Sequence, residues 1–193
     1  MICYLFPEPV YFFFSSDVPV LLYYAHIPVA VITLFVGFYV FWSNKQLLLN
    51  RLLFAISVLF SFWIIINLIT WTNIHSSFIL FAWSFFSLIS VLIAILCIYF
   101  IYVFLEKKDI SIRLKAIFLT LFFPVVFFAS TSFNLSGFNI TNCDAFKFEW
   151  LPFKIYGTSL GVLAIIWIFV LLVRRYKAAI PDFKKQIILL NLN

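Results

Sequence analysis

Charged side chains are scarce in this sequence: they make up 10% of its 193 residues, against about 25% in soluble domains. A chain with so few charges cannot cover a water-facing surface. Hydrophobic residues account for 66% of the chain, and the mean hydropathy is +1.16. This composition excludes an ordinary soluble domain and is typical of an integral membrane protein that forms one membrane domain.

Glycine, regularly spaced cysteine and charge inside the apolar segments are also lacking, and each absence excludes a class of site. The four glycines form no phosphate-binding loop. Cys3, Cys97 and Cys143 have no metal-binding or redox spacing. No Asp, Glu, Lys or Arg falls at the middle of an apolar segment, which disfavours an ion-coupled transporter. Because metalloprotease and nucleophile motifs are absent too, the sequence predicts no catalytic residue, no metal site and no cofactor for the residues present.

The longest apolar feature is Phe78–Leu105, which runs for 28 residues without a charged side chain. About 20 apolar residues in a helix are enough to cross a bilayer. Within this stretch, small side chains recur at a seven-residue period at Ser87, Ser90, Ala94 and Cys97. Small residues let membrane helices approach closely. We therefore predict a central membrane helix with a packing face.

Further apolar segments predict an all-α, polytopic transmembrane bundle. The five complete spans are expected at about 20–42, 52–72, 78–105, 116–130 and 155–173, and a sixth begins at about 187. Because the sixth is not completed, the sequence is interpreted as a fragment or a truncated product. Residues 1–19 are predicted to form an aromatic segment on the outer surface, and residues 20–193 the membrane domain.

Prolines and glycines inside these segments predict local helix geometry. Pro28 and Pro124 each remove a helical hydrogen bond, so a kink is expected at both positions. Gly157 and Gly161 form a G-x-x-x-G pair, which predicts close packing against another helix.

One face of the first span is small and polar and is predicted to look into the bundle: His26, Ala30, Thr33 and Gly37. Four side chains toward the outer side are candidates for sensing a ligand: His26, Asn67, His75 and Trp150. In the alternative interpretation, His26 and Asn67 only make hydrogen bonds between helices, His75 is solvated, and the aromatic outer loop rests on the membrane interface. Cys3 and Cys143 share the outer side and either pair or remain two thiols.

Basic residues are distributed unevenly between the two sides of the predicted bundle. Eleven of the 13 Lys and Arg residues fall on one side, which the positive-inside rule identifies as cytoplasmic. The N-terminus is then outside the cell membrane (plasma or inner), and the C-terminal end from Arg174 to Lys185 is cytoplasmic. The orientation depends most on Lys107, Lys108, Arg113, Lys115, Arg174 and Arg175.

The segment RRYKAAIPDFKKQIILLNLN, preceded by five spans, resembles the N-terminal seven-helix region of bacterial sensor histidine kinases. The likeness is carried by Lys184, Lys185, Gln186 and Ile187, and by the stretches SSDVPVLLYYAHIPVA and FNLSGFNITNCDAF. The resemblance implies a homodimeric sensory domain that, in a longer parent chain, precedes cytoplasmic kinase domains acting on a response regulator. Neither His26 nor His75 is then the phosphoacceptor, because both are predicted to lie outside.

Three functions remain open at this stage. The first is a sensory or anchoring membrane domain of a two-component histidine kinase, without the kinase core. The second is a small transporter, whose candidate polar residues are Thr33, Ser61, Ser90 and Thr120. The third is a scaffold that associates through Gly157 and Gly161. The lipid bilayer is a partner in each case, and nucleic acid is not.

Overall fold

A computed structural model describes residues 19–72, 76–134, 138–139, 146–147 and 151–178. Its helices are α1 (Val20–Ser43), α2 (Leu48–Thr72), α3 (Ser76–Glu106), α4 (Ile112–Phe128) and α5 (Leu151–Ala178). Between α4 and α5, the two-residue strands β1 (Phe138–Asn139) and β2 (Phe146–Lys147) pair in antiparallel fashion. The prediction that helices carry the fold is confirmed. Several predicted features lie outside the described residues: the outer segment up to residue 18, Cys3, His75, Cys143, Trp150 and the sixth span from about 187.

Four of the helices are long and apolar enough to cross a membrane. They are Val20–Ser43, Leu48–Thr72, Phe81–Glu106 and Leu151–Arg175. Large apolar side chains cover their outer surfaces, as Leu21 and Phe35 of α1 illustrate at 77% and 71% exposure. Soluble proteins do not expose apolar surface on this scale, so these helices indicate a membrane protein. Helix α4 is shorter, at 17 residues.

Side chains close the turn between α1 and α2. Asn50 Nδ2 donates to the carbonyls of Val40 at 3.0 Å and Asn44 at 3.1 Å. Arg51 Nε donates to the Lys45 carbonyl at 2.8 Å. The last carbonyls of a helix have no donor within the helix itself, so α2 supplies donors to the end of α1 and the turn between them. The two helices therefore form a tightly closed antiparallel hairpin.

Helix α2 also packs on α3 through aromatic and aliphatic side chains. The rings of Trp63 and Phe86 meet edge to face with centroids 5.6 Å apart. Ile66 of α2 is buried with Ala82 and Ile89 of α3. Because α2 contacts both neighbours, it lies at the centre of a three-helix core, with one buried apolar cluster against α1 and another against α3.

Helices α4 and α5 join this core through α3. Ser111 begins α4 as its N-cap, with Oγ accepting from the Leu114 amide at 3.4 Å. The Tyr156 hydroxyl of α5 donates to the Leu121 carbonyl of α4 at 2.6 Å. At the other end of α5, Arg175 Nη2 lies 3.1 Å from Glu106 Oε2 at the end of α3. These contacts set α5 parallel to α3 and antiparallel to α4.

Both prolines expected to bend a helix lie within one. Pro28 is inside α1 and Pro124 is inside α4, and both helices continue through them. Pro124 leaves the Thr120 carbonyl without its helical donor. The next carbonyl along the chain, that of Leu121, is the one that accepts from Tyr156. The disturbed turn of α4 is therefore also the place where α5 attaches.

Candidate functional site

The facing surfaces of α1 and α2 form a polar contact that we call the α1–α2 seam: His26, Ala30 and Gly37 on α1, and Ser57, Ser61 and Asn67 on α2. Ser61 Oγ donates to the Ala30 carbonyl at 3.0 Å, and both residues are buried. A Cβ added to Gly37 would lie 2.5 Å from Ser57 Cβ. The backbones can approach this closely only because α1 has no side chain at that position. The small face predicted for the first span thus packs on α2.

Both ring nitrogens of His26 have partners within the seam. Nδ1 lies 2.8 Å from the Leu22 carbonyl oxygen, which can only accept, so Nδ1 carries the hydrogen. The neutral ring then has a lone pair on Nε2, which accepts from Asn67 Nδ2 at 3.0 Å. This geometry corresponds to a hydrogen bond between helices, with no ring nitrogen left for a ligand. His75 and Trp150, the other two candidate sensing residues, lie outside the described residues.

We expect His26 and Asn67 to be energetically coupled. His26→Phe and Asn67→Leu should each lower the free energy of unfolding by about 1 kcal/mol, because each leaves the other side chain without its partner. The double variant should cost less than the sum of the two single changes. Unfolding in mixed detergent and dodecyl sulfate micelles measures all four proteins, with Ser43→Ala at the exposed end of α1 as the control. If the loss of unfolding free energy in the double variant equalled the sum of the two single losses, the pairing would be contradicted.

A second buried polar cluster, the Asn134 cluster, joins the end of α4 to α3. Asn134 is only 4% exposed. Its Nδ2 donates to the carbonyls of Ala129 at 2.8 Å and Ser84 at 3.2 Å. Its Oδ1 accepts from Ser87 Oγ at 3.2 Å. Ser87, predicted only as a small packing residue, therefore acts as a hydrogen-bond donor.

Sequence reasoning did not identify Asn134 as a structural residue. The triplet Asn134-Leu-Ser matches the pattern for N-glycosylation. In the fold, however, the amide nitrogen that would carry a glycan already donates to two carbonyls and is buried. Ser84 lies 50 positions earlier in the chain, so no local pattern could have revealed the contact.

The remaining predicted packing residues line an apolar groove between α3, α4 and α5. Its volume is about 540 Å³. Ser90 and Ala94 form part of the α3 wall, and Gly157 and Gly161 form part of the α5 wall. A Cβ added to either glycine would have no heavy atom within 4 Å. The close packing predicted for Gly157 and Gly161 is therefore not made within the described residues, and the two small faces border an open space instead.

No protein-family model matches this chain, and neither a curated protein nor a solved structure matches it. Its function has to be inferred from the geometry of the chain itself.

At one end, the groove adjoins a basic pocket of about 340 Å³, and Leu171 and Arg174 line both. The basic pocket is also lined by Tyr102, Glu106, Lys108 and Arg175. Arg175 is paired with Glu106, but its Nε is buried and has no hydrogen-bond partner among the described residues. Lys108 and Arg174 are exposed and make no ion pair within the part of the chain that the structure describes. Three cations thus face one carboxylate at this end of the groove.

The loop between α3 and α4 holds a separate charged cluster. Lys115 Nζ lies 2.6 Å from Asp109 Oδ2, and the Tyr99 hydroxyl donates to Asp109 Oδ1. The hydrogen bond from Lys115, and then that from Tyr99, holds the pKa of Asp109 below its ordinary value of 3.8. The same bond to Asp109 raises the pKa of Lys115 above 10.5. Lys107 and Arg113, in and beside this loop, are exposed.

These pKa shifts predict how the loop responds to pH. The pKa of Asp109 is lowered in the folded state, so its contribution is present above pH 3.8 and is lost as the pH falls through the lowered pKa. The pKa of Lys115 is raised, so its contribution is present below pH 10.5 and is lost above the raised pKa. Asp109→Asn should lower the thermal midpoint in detergent at neutral pH and leave it unchanged at the acid limit. A difference in thermal midpoint of the same size at both pH values would show that the charge of Asp109 is not the cause.

Among the described residues, no group of three His, Cys, Asp or Glu side chains could hold a metal ion. The polar residues considered for transport do not converge either. Ser61 is engaged with the Ala30 carbonyl, and Thr120 is exposed and donates to the Ala116 carbonyl of its own helix. Ser90 borders the apolar groove. The arrangement offers a packed three-helix core, a less closely packed pair α4–α5, and a groove with a basic end.

Proposed function

We propose that this chain is the membrane-embedded sensory domain of a two-component signal-transduction histidine kinase, with α5 as the helix that transmits the signal. The observation that carries the proposal is the contrast between two kinds of helix contact. Hydrogen bonds join α1 to α2, and α2 packs closely on α3, whereas an open groove lies between α3 and the part of α5 that carries Gly157 and Gly161. A sensory domain needs a fixed part and a part that can be displaced.

The low burial of α5 and the place where it ends also suit this role. Of the four long helices it buries the least of its surface, so few contacts have to be broken for it to move. It ends beside the basic pocket, at the same end of the bundle as Glu106. A displacement of α5 would therefore be delivered to the basic side, where a kinase domain would be attached in a longer parent chain.

The proposal includes five membrane crossings with the N-terminus outside. Helix α4 has 17 residues, at the lower limit of about 17–25 for a crossing. With α4 counted, the loops after α1 and α3 and the end of α5 share the basic side, which the positive-inside rule makes cytoplasmic. In sealed right-side-out vesicles of a cysteine-free variant, an impermeant maleimide should label Lys154→Cys and not Lys107→Cys. The reverse labelling pattern would contradict this orientation.

The signalling role can be tested by joining all 193 residues to a cytoplasmic histidine kinase core and measuring autophosphorylation in membranes. Gly161→Leu, which places a bulky side chain in the groove between α3 and α5, should change the rate. Thr158→Leu, on an exposed part of α5, is the matched control and should leave the rate unchanged. Equal rates for the parent fusion and the Gly161→Leu fusion would contradict a transmitting role for α5.

The link to a kinase has an independent test in the coding DNA beyond Asn193. Two more apolar spans followed by a helix with a cytoplasmic His would support the proposal. An in-frame stop directly after Asn193 would count against it, since no kinase core would then be attached. The groove provides no support for the alternative of polar-substrate transport, because its walls are almost entirely apolar.

A further inference from the structure

The groove between α3, α4 and α5 and the basic pocket at its end adjoin each other. Leu171 and Arg174 line both, so the apolar space borders directly on the charged one. The lining of the apolar part includes the small residues Ser90 and Ala94 of α3 and Gly157 and Gly161 of α5. A ligand that fits both parts must be apolar over most of its length and negatively charged at one end.

The basic pocket has an excess of positive charge and a buried hydrogen-bond donor without an acceptor among the described residues. Its cations are Lys108, Arg174 and Arg175, and Glu106 is its only carboxylate among the described lining residues. Glu106 binds Nη2 of Arg175 and leaves the buried Nε of the same side chain without an acceptor. Buried donors of this kind almost always have a partner in a complete structure. A phosphate oxygen would supply the acceptor and would balance the excess positive charge.

We propose that this site binds an anionic phospholipid, with one acyl chain in the groove against Gly157 and Gly161 and the phosphate against Lys108, Arg174 and Arg175 Nε. Basic pockets between membrane helices on the cytoplasmic side are suited to anionic headgroups. The site does not depend on the kinase role proposed above, because it needs only the groove and its charged end.

Two other occupants fit the charges less well. A second copy placed with its α5 in the groove would bring another Arg174 and Arg175 to an end that is already basic. Residues 179–193 carry Lys184 and Lys185 against a single Asp182, so this segment also adds net positive charge. A free phosphate ion would satisfy the basic pocket but would leave the apolar groove unfilled. Of these occupants, only an anionic lipid fills the apolar groove and also balances the charge of the basic pocket.

Quenching of Trp167 fluorescence by brominated acyl chains can test the proposal, because Trp167 lines the groove. The full-length protein is placed in bilayers of mixed phosphatidylglycerol and phosphatidylcholine, with the bromine on one lipid or the other at the same mole fraction. The signal of a Trp167→Phe variant is subtracted to remove the other tryptophans. We expect stronger quenching of Trp167 when the bromine is on phosphatidylglycerol.

Substitutions at the two ends of the site test the binding of the headgroup and of the acyl chain separately. Lys108→Gln and Arg174→Gln should each weaken the preference for phosphatidylglycerol by about fivefold. Gly161→Leu should abolish the preference by placing a side chain in the groove, where the added Cβ meets no heavy atom within 4 Å. Thr158→Leu and Lys154→Gln, elsewhere on α5, are matched controls and should keep the full preference.

Four results would overturn the proposal. Equal quenching by the two brominated lipids would mean that the site does not select anionic lipid. A preference that survives Gly161→Leu would mean that the headgroup binds without a chain in the groove. Displacement of the lipid by excess inorganic phosphate would identify a pocket for a free anion. A change in oligomer mass on Gly161→Leu would identify a second copy of the chain as the occupant.

Discussion

Replacing Gly37 by Ala should lower the free energy of unfolding by about 1–2 kcal/mol, and replacing it by Leu should separate α1 from α2. The added Cβ would lie 2.5 Å from Cβ and 2.7 Å from Oγ of Ser57. Ala in place of Gly favours a helix by about 1 kcal/mol, but overpacking of a close contact costs about 1–3 kcal/mol. Separation of the helices would also stretch the hydrogen bond from Ser61 to the Ala30 carbonyl. The clash is therefore expected to outweigh the gain in helix propensity.

The sign of this effect should depend on Ser57. In a Ser57→Gly background, the nearest remaining atom to the new Cβ is Phe54 Cα at 3.7 Å, an ordinary contact distance. Gly37→Ala should then stabilise the protein, because only the helix propensity is left. The four proteins of this cycle can be compared by unfolding in mixed micelles of detergent and dodecyl sulfate. The same loss of stability in both backgrounds would show that contact with Ser57 is not the cause.

The positions of the helices could be predicted closely from the apolar pattern, but the residues at which they begin could not. The first span was predicted at about 20–42, and α1 is Val20–Ser43. The second was predicted from about 52, but α2 begins at Leu48, and its Asn50 and Arg51 donate to carbonyls at the end of α1 and in the turn after it. The fourth was predicted from about 116, and α4 begins at Ile112 because Ser111 caps it. Hydropathy marks the part of a helix suited to the membrane, whereas capping side chains decide where the helix starts.

Small residues predicted packing faces, but not the partner of each face. On α1, the close approach at Gly37 is matched by Ser57 of α2. On α5, Gly157 and Gly161 meet no side chain and border the groove. The two patterns look alike in the sequence, since each consists only of small residues. They differ in whether another helix packs against these residues, and that depends on the arrangement of the whole bundle.

Polar side chains inside the bundle were the least predictable part of the candidate site. His26 and Asn67 stood out as polar residues in apolar segments, but the sequence left open whether they bind a ligand or make hydrogen bonds between helices. Their pairing across 41 positions follows from the antiparallel hairpin. Arg175 was counted only as a topology residue. Its pairing with Glu106 and its unpartnered Nε became visible only when α3 and α5 were set side by side.

The second large effect is expected at Asn134. Asn134→Ala should lower the free energy of unfolding by about 3 kcal/mol, since it removes three hydrogen bonds in a buried site at about 1 kcal/mol each. Ser132→Ala, at an exposed position two residues earlier, should change the stability by less than about 0.5 kcal/mol. Urea or dodecyl sulfate titration of the protein in micelles measures both variants.

Asn134→Asp distinguishes a hydrogen-bonding role from simple filling of space, because Asp has nearly the same shape as Asn. It keeps an acceptor for Ser87 but replaces the amide donor by a carboxylate oxygen that faces the carbonyls of Ser84 and Ala129. Burying a charge against two acceptors costs more than leaving the site empty, so Asn134→Asp should be less stable than Asn134→Ala. If shape alone mattered, the order would be reversed, with Asp close to the parent protein.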